Sequence, residues 1–306
     1  MSSSDNPRFN PNLDPNLEPN LDSRLDPQPP QDPVPSAPPA WTGQPWAVPA
    51  PAPAAPPPVE NPVFSGWDVL LIAFLTILTL LVVELITVVG AWLLFYRRSS
   101  FGDVVQKPVL ALVGEFLSYI AVAIYMVMLV EGKYHQPFWK AIRWNWHRRA
   151  TFGLLGLGML TVSVDAVSRY LPMPKSTPFD QFFERPSDAY LIALFAVTIG
   201  PLMEELFFRG FLYPVLARRT GSAAAVVLTA IPFGLMHYLQ YKSWGAVLVI
   251  TLVGVVLTIV RAVTKSVASS FFVHVGYNAT LMLLAAIETD GFRHMDKAAL
   301  IPLLPR

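Results

Sequence analysis

The stretch Gly200-Pro201-Leu202-Met203-Glu204-Glu205-Leu206-Phe207-Phe208-Arg209 sets two adjacent carboxylates and an arginine inside an otherwise apolar run. Residues 189–199 before it and 210–216 after it carry no charge. Each charge at the centre of a membrane helix costs roughly 2.5–3.5 kcal/mol on insertion scales. Such residues therefore face a protein interior or a water pocket, paired or in use. The segment reads as a membrane helix built around chemistry.

The rest of the chain agrees. Of its 306 residues, 53% are hydrophobic and only 14% charged, with a mean hydropathy of +0.45. A soluble domain carries about 25% charged residues. Apolar runs near the ~20 residues needed to cross a bilayer recur along the sequence. The expected fold class is all-α: a polytopic transmembrane helical bundle of about seven spans, at 67–96, 108–130, 151–168, 189–216, 223–239, 244–263 and 267–287. The first is long enough to tilt or bend at Gly90, and the fifth is interrupted by Pro232. A net charge of +1 points to no nucleic-acid partner. The chain has no cysteine, which excludes disulfides, cysteine nucleophiles and thiolate metal sites.

Residues 1–62 differ in kind. They hold most of the 30 prolines, and a short repeat runs through Pro11-Asn12-Leu13-Asp14, Pro15-Asn16-Leu17-Glu18 and Pro19-Asn20-Leu21-Asp22. This composition buries too little apolar surface to fold, so a disordered Pro-rich tail is expected, with 63–306 forming the membrane-embedded domain. The tail lacks the basic region and apolar core of a signal peptide. Its prolines, with Trp41 and Trp46, also suit a docking partner. The lack of a targeting signal and the tail's composition point to a bacterial plasma membrane.

Between the second and third spans, residues 133–149 interleave tryptophans with basic residues, as in a segment lying at the headgroups. Basic residues divide evenly between the two sets of loops. The dense 133–149 cluster argues that its side is cytoplasmic.

Other polar residues fall inside the spans. Glu84 and Glu115 read as hydrogen-bonding glue between helices, and Asp165, near a helix end, as interfacial. His237 follows Phe233 by four residues, and Asn278 follows His274 by four. That spacing stacks both side chains of a pair on one helix face. Gly234, Gly276, Ala268, Ser269 and Ser270 are small enough to let helices approach. Glu205 and Arg209 are also four apart, with the acid first, the better orientation for a helical ion pair. Glu204 points about 100° away around the helix. Glu205–Arg209 therefore reads as an internal clamp and Glu204 as the working carboxylate.

Glu204-Glu205-x-x-x-Arg209, Phe233-x-x-x-His237 and His274-x-x-x-Asn278, in this order, resemble the EExxxR, FxxxH and HxxxN/D motifs of the CPBP family of intramembrane proteases. That family includes the type II CAAX prenyl endopeptidases and bacteriocin self-immunity proteins. The resemblance covers roughly residues 185–290. It implies a helical membrane protease with no covalent intermediate, acting on a membrane-protein or lipidated-peptide substrate in the bilayer. Glu204 would activate water, His237 would hold it, and His274 with Asn278 would stabilise the oxyanion. Glu205, Arg209 and Phe233 would support them.

Two chemistries stay open. In one, no cofactor is needed and Glu204 is the base. In the other, Glu204, His237 and His274 bind a divalent metal such as zinc. Two other functions use the same residues differently. A non-proteolytic scaffold would bind and regulate a partner membrane protein, and a proton pathway would use Glu84, Glu115, Glu204 and His237.

Overall fold

The computed structural model describes residues 60–174 and 177–295, and the following concerns these residues. The Pro-rich segment expected to be disordered lies outside them, apart from Glu60, Asn61 and Pro62. Seven helices are long and apolar enough to span a membrane. They are α1 (Gly66–Leu94), α2 (Pro108–Lys133), α3 (Arg148–Tyr170), α4 (Pro186–Thr220), α5 (Ser222–Tyr241), α6 (Trp244–Thr264) and α7 (Val267–Glu288). No strand occurs among the described residues. The all-α, seven-span architecture is the one that hydropathy predicts.

Local chemistry sets the helix ends. Ser65 caps α1 in a capping box with Asp68, and Ser243 and Ser266 accept from the first-turn amides of α6 and α7. Pro108 and Pro186 open α2 and α4, where a missing N–H costs nothing. Gly221, at φ +80°, lets the chain reverse between α4 and α5.

Along α1, Leu70, Phe74, Ile77, Leu81 and Leu85 are exposed, as lipid-facing residues must be. The apolar core instead gathers on α6, where Val249, Val253 and Leu257 meet Phe208, Phe233 and Val273. Lipid tails are as apolar as leucine, so helix pairing in a membrane rests on close packing. Gly158 of α3 and Gly276 of α7 show it. A methyl group on Gly158 would lie 2.2 Å from the Val273 carbonyl, and one on Gly276 would lie 2.3 Å from that of Leu155. Only bare backbone fits this crossing.

Three elements depart from simple spans. In α4 the helix breaks at Thr198 (φ −119°, ψ −74°). Pro201, three residues on, removes the amide that would bond Val197. Past Glu205, residues Leu206–Leu212 form π-helical turns, and the α-helix resumes at Tyr213. In α3 the last turns, Val162–Tyr170, wind as a 3₁₀-helix. This turns Asp165 inward. Expected at the interface, Asp165 is instead buried and accepts a hydrogen bond from the Tyr277 hydroxyl at 2.8 Å.

Residues 133–149 do expose Trp139, Trp146, Arg148 and Arg149, but Phe138 and Ile142 reach into the interior. The Val267 amide donates to the Arg143 carbonyl at 3.1 Å, and the Ser266 hydroxyl to that of Asn145 at 2.6 Å. The connections after α2 and α6 thus share one end of the bundle. The connections after α1, α3 and α5 share the other.

Because the natural chain is free of cysteine, this alternation is testable by single-cysteine labelling. Arg149→Cys and Thr220→Cys should react with a membrane-impermeant maleimide from one face. Arg98→Cys and Glu184→Cys should react only from the opposite face. Arg149 and Glu184 labelling from the same face would mean that α3 does not cross.

Candidate active site

The break in α4 lets the following α-helical turns carry Glu204 and Glu205 into the centre of the bundle. Glu205 and Arg209 are both fully buried. Arg209 Nη1 donates to Glu205 Oε1 at 2.9 Å, Nη2 to the Gly254 carbonyl at 3.0 Å and Nε to Thr258 Oγ1 at 3.3 Å. The guanidinium also lies 4.3 Å from the centre of the Phe233 ring. All three nitrogens are engaged, which is what a charge so far from water requires. The clamp ties α4 to α6 and, through Phe233, to α5.

Glu205 Oε1 accepts a second bond, from His274 Nδ1 of α7 at 3.0 Å. A carboxylate held by arginine is ionised, so the histidine nitrogen is the donor. His237 is oriented by a different device. At the end of the α-helical part of α5 its amide bonds to the Gly234 carbonyl, one residue short of the α-helical partner. The Phe233 carbonyl is thereby freed and takes the His237 Nδ1 proton at 2.8 Å. A carbonyl can only accept, so here too Nδ1 donates. The Phe233 ring sits between the two imidazoles, with centroids at 5.3 Å from His237 and 5.8 Å from His274.

With both Nδ1 atoms committed, each ring turns its Nε2 toward Glu204. His237 Nε2 is 3.8 Å from Glu204 Oε1, and His274 Nε2 is 3.6 Å from Glu204 Oε2. These gaps exceed a direct hydrogen bond. The carboxylate and the two ring nitrogens leave one gap between them. A single water can bridge it.

Asn278, one turn beyond His274, donates from Nδ2 to the Ala196 carbonyl at 2.7 Å. That carbonyl lies just before the α4 break. Asn278 therefore satisfies the helix interruption that positions Glu204.

Glu204, His237, His274 and Asn278 line one cavity of about 470 Å³. Its other walls are mainly apolar, with Leu112, Ile192, Phe195, Leu281 and Met282. A 3₁₀ segment, Pro178–Phe183, lays Phe179 and Phe182 along it. Glu115 of α2 also lines this cavity, accepting from the Tyr119 hydroxyl at 2.8 Å. This partner lies on its own helix, where the sequence context suggests glue between helices. The Glu115-x-x-x-Tyr119 spacing was the available signal. Tyr277, held by Asp165, is another lining residue without a motif to announce it. Glu84 rests its carboxylate on Gly114 of α2, outside this cavity.

Residues 186–280 match the family model of Rce1-like proteins, the type II CAAX prenyl endopeptidases. The match runs from the start of α4 into α7 and contains all seven motif residues. The match covers about a third of the chain and agrees with its resemblance to the CPBP/CAAX protease family. No curated protein and no solved structure matches the chain.

The clamp and the cavity carboxylate should separate in a melting experiment. Glu205→Gln leaves the buried Arg209 charge without its counter-ion and should cost about 3–5 kcal/mol. Glu204→Gln changes a group that faces the cavity and should stay within about 1 kcal/mol of wild type. Thermal unfolding of both variants in detergent checks the contrast.

Proposed function

We propose that this protein is an intramembrane endopeptidase in which Glu204 activates a water held by His237 and His274. The observation that carries this reading is the convergence of two imidazole Nε2 atoms and one carboxylate on a single gap in the cavity wall. The match of residues 186–280 to a protease family model supports it.

Glu204 takes a proton from the water as its oxygen attacks the scissile carbonyl carbon. The carbonyl electron pair moves to oxygen and leaves an oxyanion. Asn278 offers its second amide hydrogen to that oxygen. His274, held through Nδ1 by the Glu205 carboxylate, presents its Nε2 to the same oxygen. Collapse of the tetrahedral carbon breaks the C–N bond, and Glu204 returns its proton to the leaving amine. No covalent enzyme intermediate forms. The substrate is a membrane-associated protein, and the apolar cavity walls suit a lipidated or membrane-embedded segment. The family description names prenylated CAAX proteins as one such class.

A metal reading would use the same three side chains. The Nδ1 bonds to Phe233 and Glu205 are the kind of outer-shell support that a ligating histidine needs. Tetrahedral zinc with bonds of ~2.0–2.2 Å brings its donor atoms to about 3.3–3.6 Å from one another. The gaps here are 3.8 and 3.6 Å, at or just beyond the wide edge of that range, and favour a bridging water over direct ligation.

The test compares membrane-protein termini by mass spectrometry in cells carrying wild type or Glu204→Gln at equal expression. New termini made only by the wild type would establish cleavage and name the substrate. Identical termini would overturn the proposal in favour of a scaffold. With a substrate in hand, His237→Ala and His274→Ala should each lower kcat by about 10²–10⁴. Dialysis against a chelator should leave the wild-type rate unchanged.

A further inference from the structure

Away from the cavity, near the end of the bundle where α1 begins, a second charged cluster is equally well built. Glu60, the first described residue, is buried to 6% exposure. Its Oε1 accepts from Arg143 Nη1 at 2.9 Å and Arg261 Nη1 at 3.0 Å, and its Oε2 from Arg261 Nη2 at 3.4 Å. Arg261, in the last turn of α6, is 1% exposed. Its remaining nitrogen, Nε, donates to the Arg209 carbonyl at 3.2 Å. Beside this cluster lies a recess of about 180 Å³ lined by Glu60, Lys140, Arg143 and Arg261.

The two halves of this cluster have different origins. The cations belong to the helical domain: Arg261 to α6, Arg143 and Lys140 to the connection after α2. That connection is pinned to α7 by the bonds from Val267 and Ser266. The carboxylate is brought by a non-helical segment ahead of α1. Arg218 holds that segment through the Pro62 and Phe64 carbonyls, at 3.0 and 3.4 Å. Without Glu60, a buried two-pronged guanidinium donor would face an empty recess beside Arg143 and Lys140. A fork of this kind matches the paired oxygens of a carboxylate or phosphate.

We infer that the Arg143–Arg261 recess is an oxyanion receptor, shaped for one carboxylate or phosphate group and occupied in cis by Glu60. The receptor touches the clamp at one atom, the Arg209 carbonyl. The inference does not rest on the proposed chemistry.

The test is chemical rescue of the full-length protein in detergent. Glu60→Ala should lower the thermal midpoint. Sodium acetate or inorganic phosphate, titrated at constant ionic strength with chloride, should restore it along a saturable curve. Wild type, with both guanidinium groups already paired by Glu60, should not respond. Glu60→Gln keeps the shape and most of the packing and serves if Glu60→Ala fails to fold; it should melt below wild type. Adding Arg143→Ala to Glu60→Ala should weaken the rescue at least tenfold in anion concentration. An unchanged midpoint in Glu60→Gln would overturn the receptor. So would a response that chloride reproduces, or one that wild type shares.

Discussion

Arg209 is held within a bundle whose outside is hydrocarbon, and nearly everything at the site follows from satisfying it. A guanidinium there needs a counter-ion and an acceptor for each nitrogen. Glu205, Gly254 and Thr258 supply them, and the Phe233 ring lies against the guanidinium. Those partners come from α4, α5 and α6. Glu205 then takes the His274 proton and adds α7 to the set. One buried ion pair thus fixes four helices relative to one another. It also frees the neighbouring Glu204, about 100° around the helix, to face the cavity.

The helices at the site are irregular where the chemistry requires it. Backbone groups in a membrane must be satisfied within the protein, so each irregularity comes with a side chain that repairs it. Asn278 takes the Ala196 carbonyl at the α4 break. His237 takes the Phe233 carbonyl that the tightened turn of α5 releases. In both places the repairing residue also lines the cavity, so the repair fixes its rotamer. The price of a distorted helix is offset by a positioned polar group. The π-helical turns after Glu205 fall in the same region, where such insertions commonly mark functional sites.

The end of the bundle that carries Glu60 is built on the same logic. Arg261 is as deeply buried as Arg209 and likewise needs acceptors, one of which is the carbonyl of Arg209 itself. The two arginines form consecutive links from Glu60 to His274. Close helix crossings at Gly158 and Gly276 hold α7 against α3 and so keep His274 in range of Glu205. Polar bonds select the arrangement, and close packing without side chains allows it.

The sequence by itself determined the seven helices, because hydropathy over ~20 residues is a local property that the bilayer reads directly. It also determined which acid would pair with Arg209, since four-residue spacing on a helix needs no tertiary partner. The order of the three motifs, read against a known family, named the cavity residues from α4, α5 and α7. Tertiary structure decided what depends on groups far apart in the chain. The convergence of His237 and His274 on Glu204 needs three helices in register. Asp165 is inside because the end of α3 winds as a 3₁₀-helix against Tyr277, where α-helical spacing had suggested an interfacial position. Glu115 belongs to the cavity because α2 stands across from α4. Glu60 looked like the end of a solvated tail, and only the folding of α6 and the 133–149 connection around it supplied the two arginines that bury its charge.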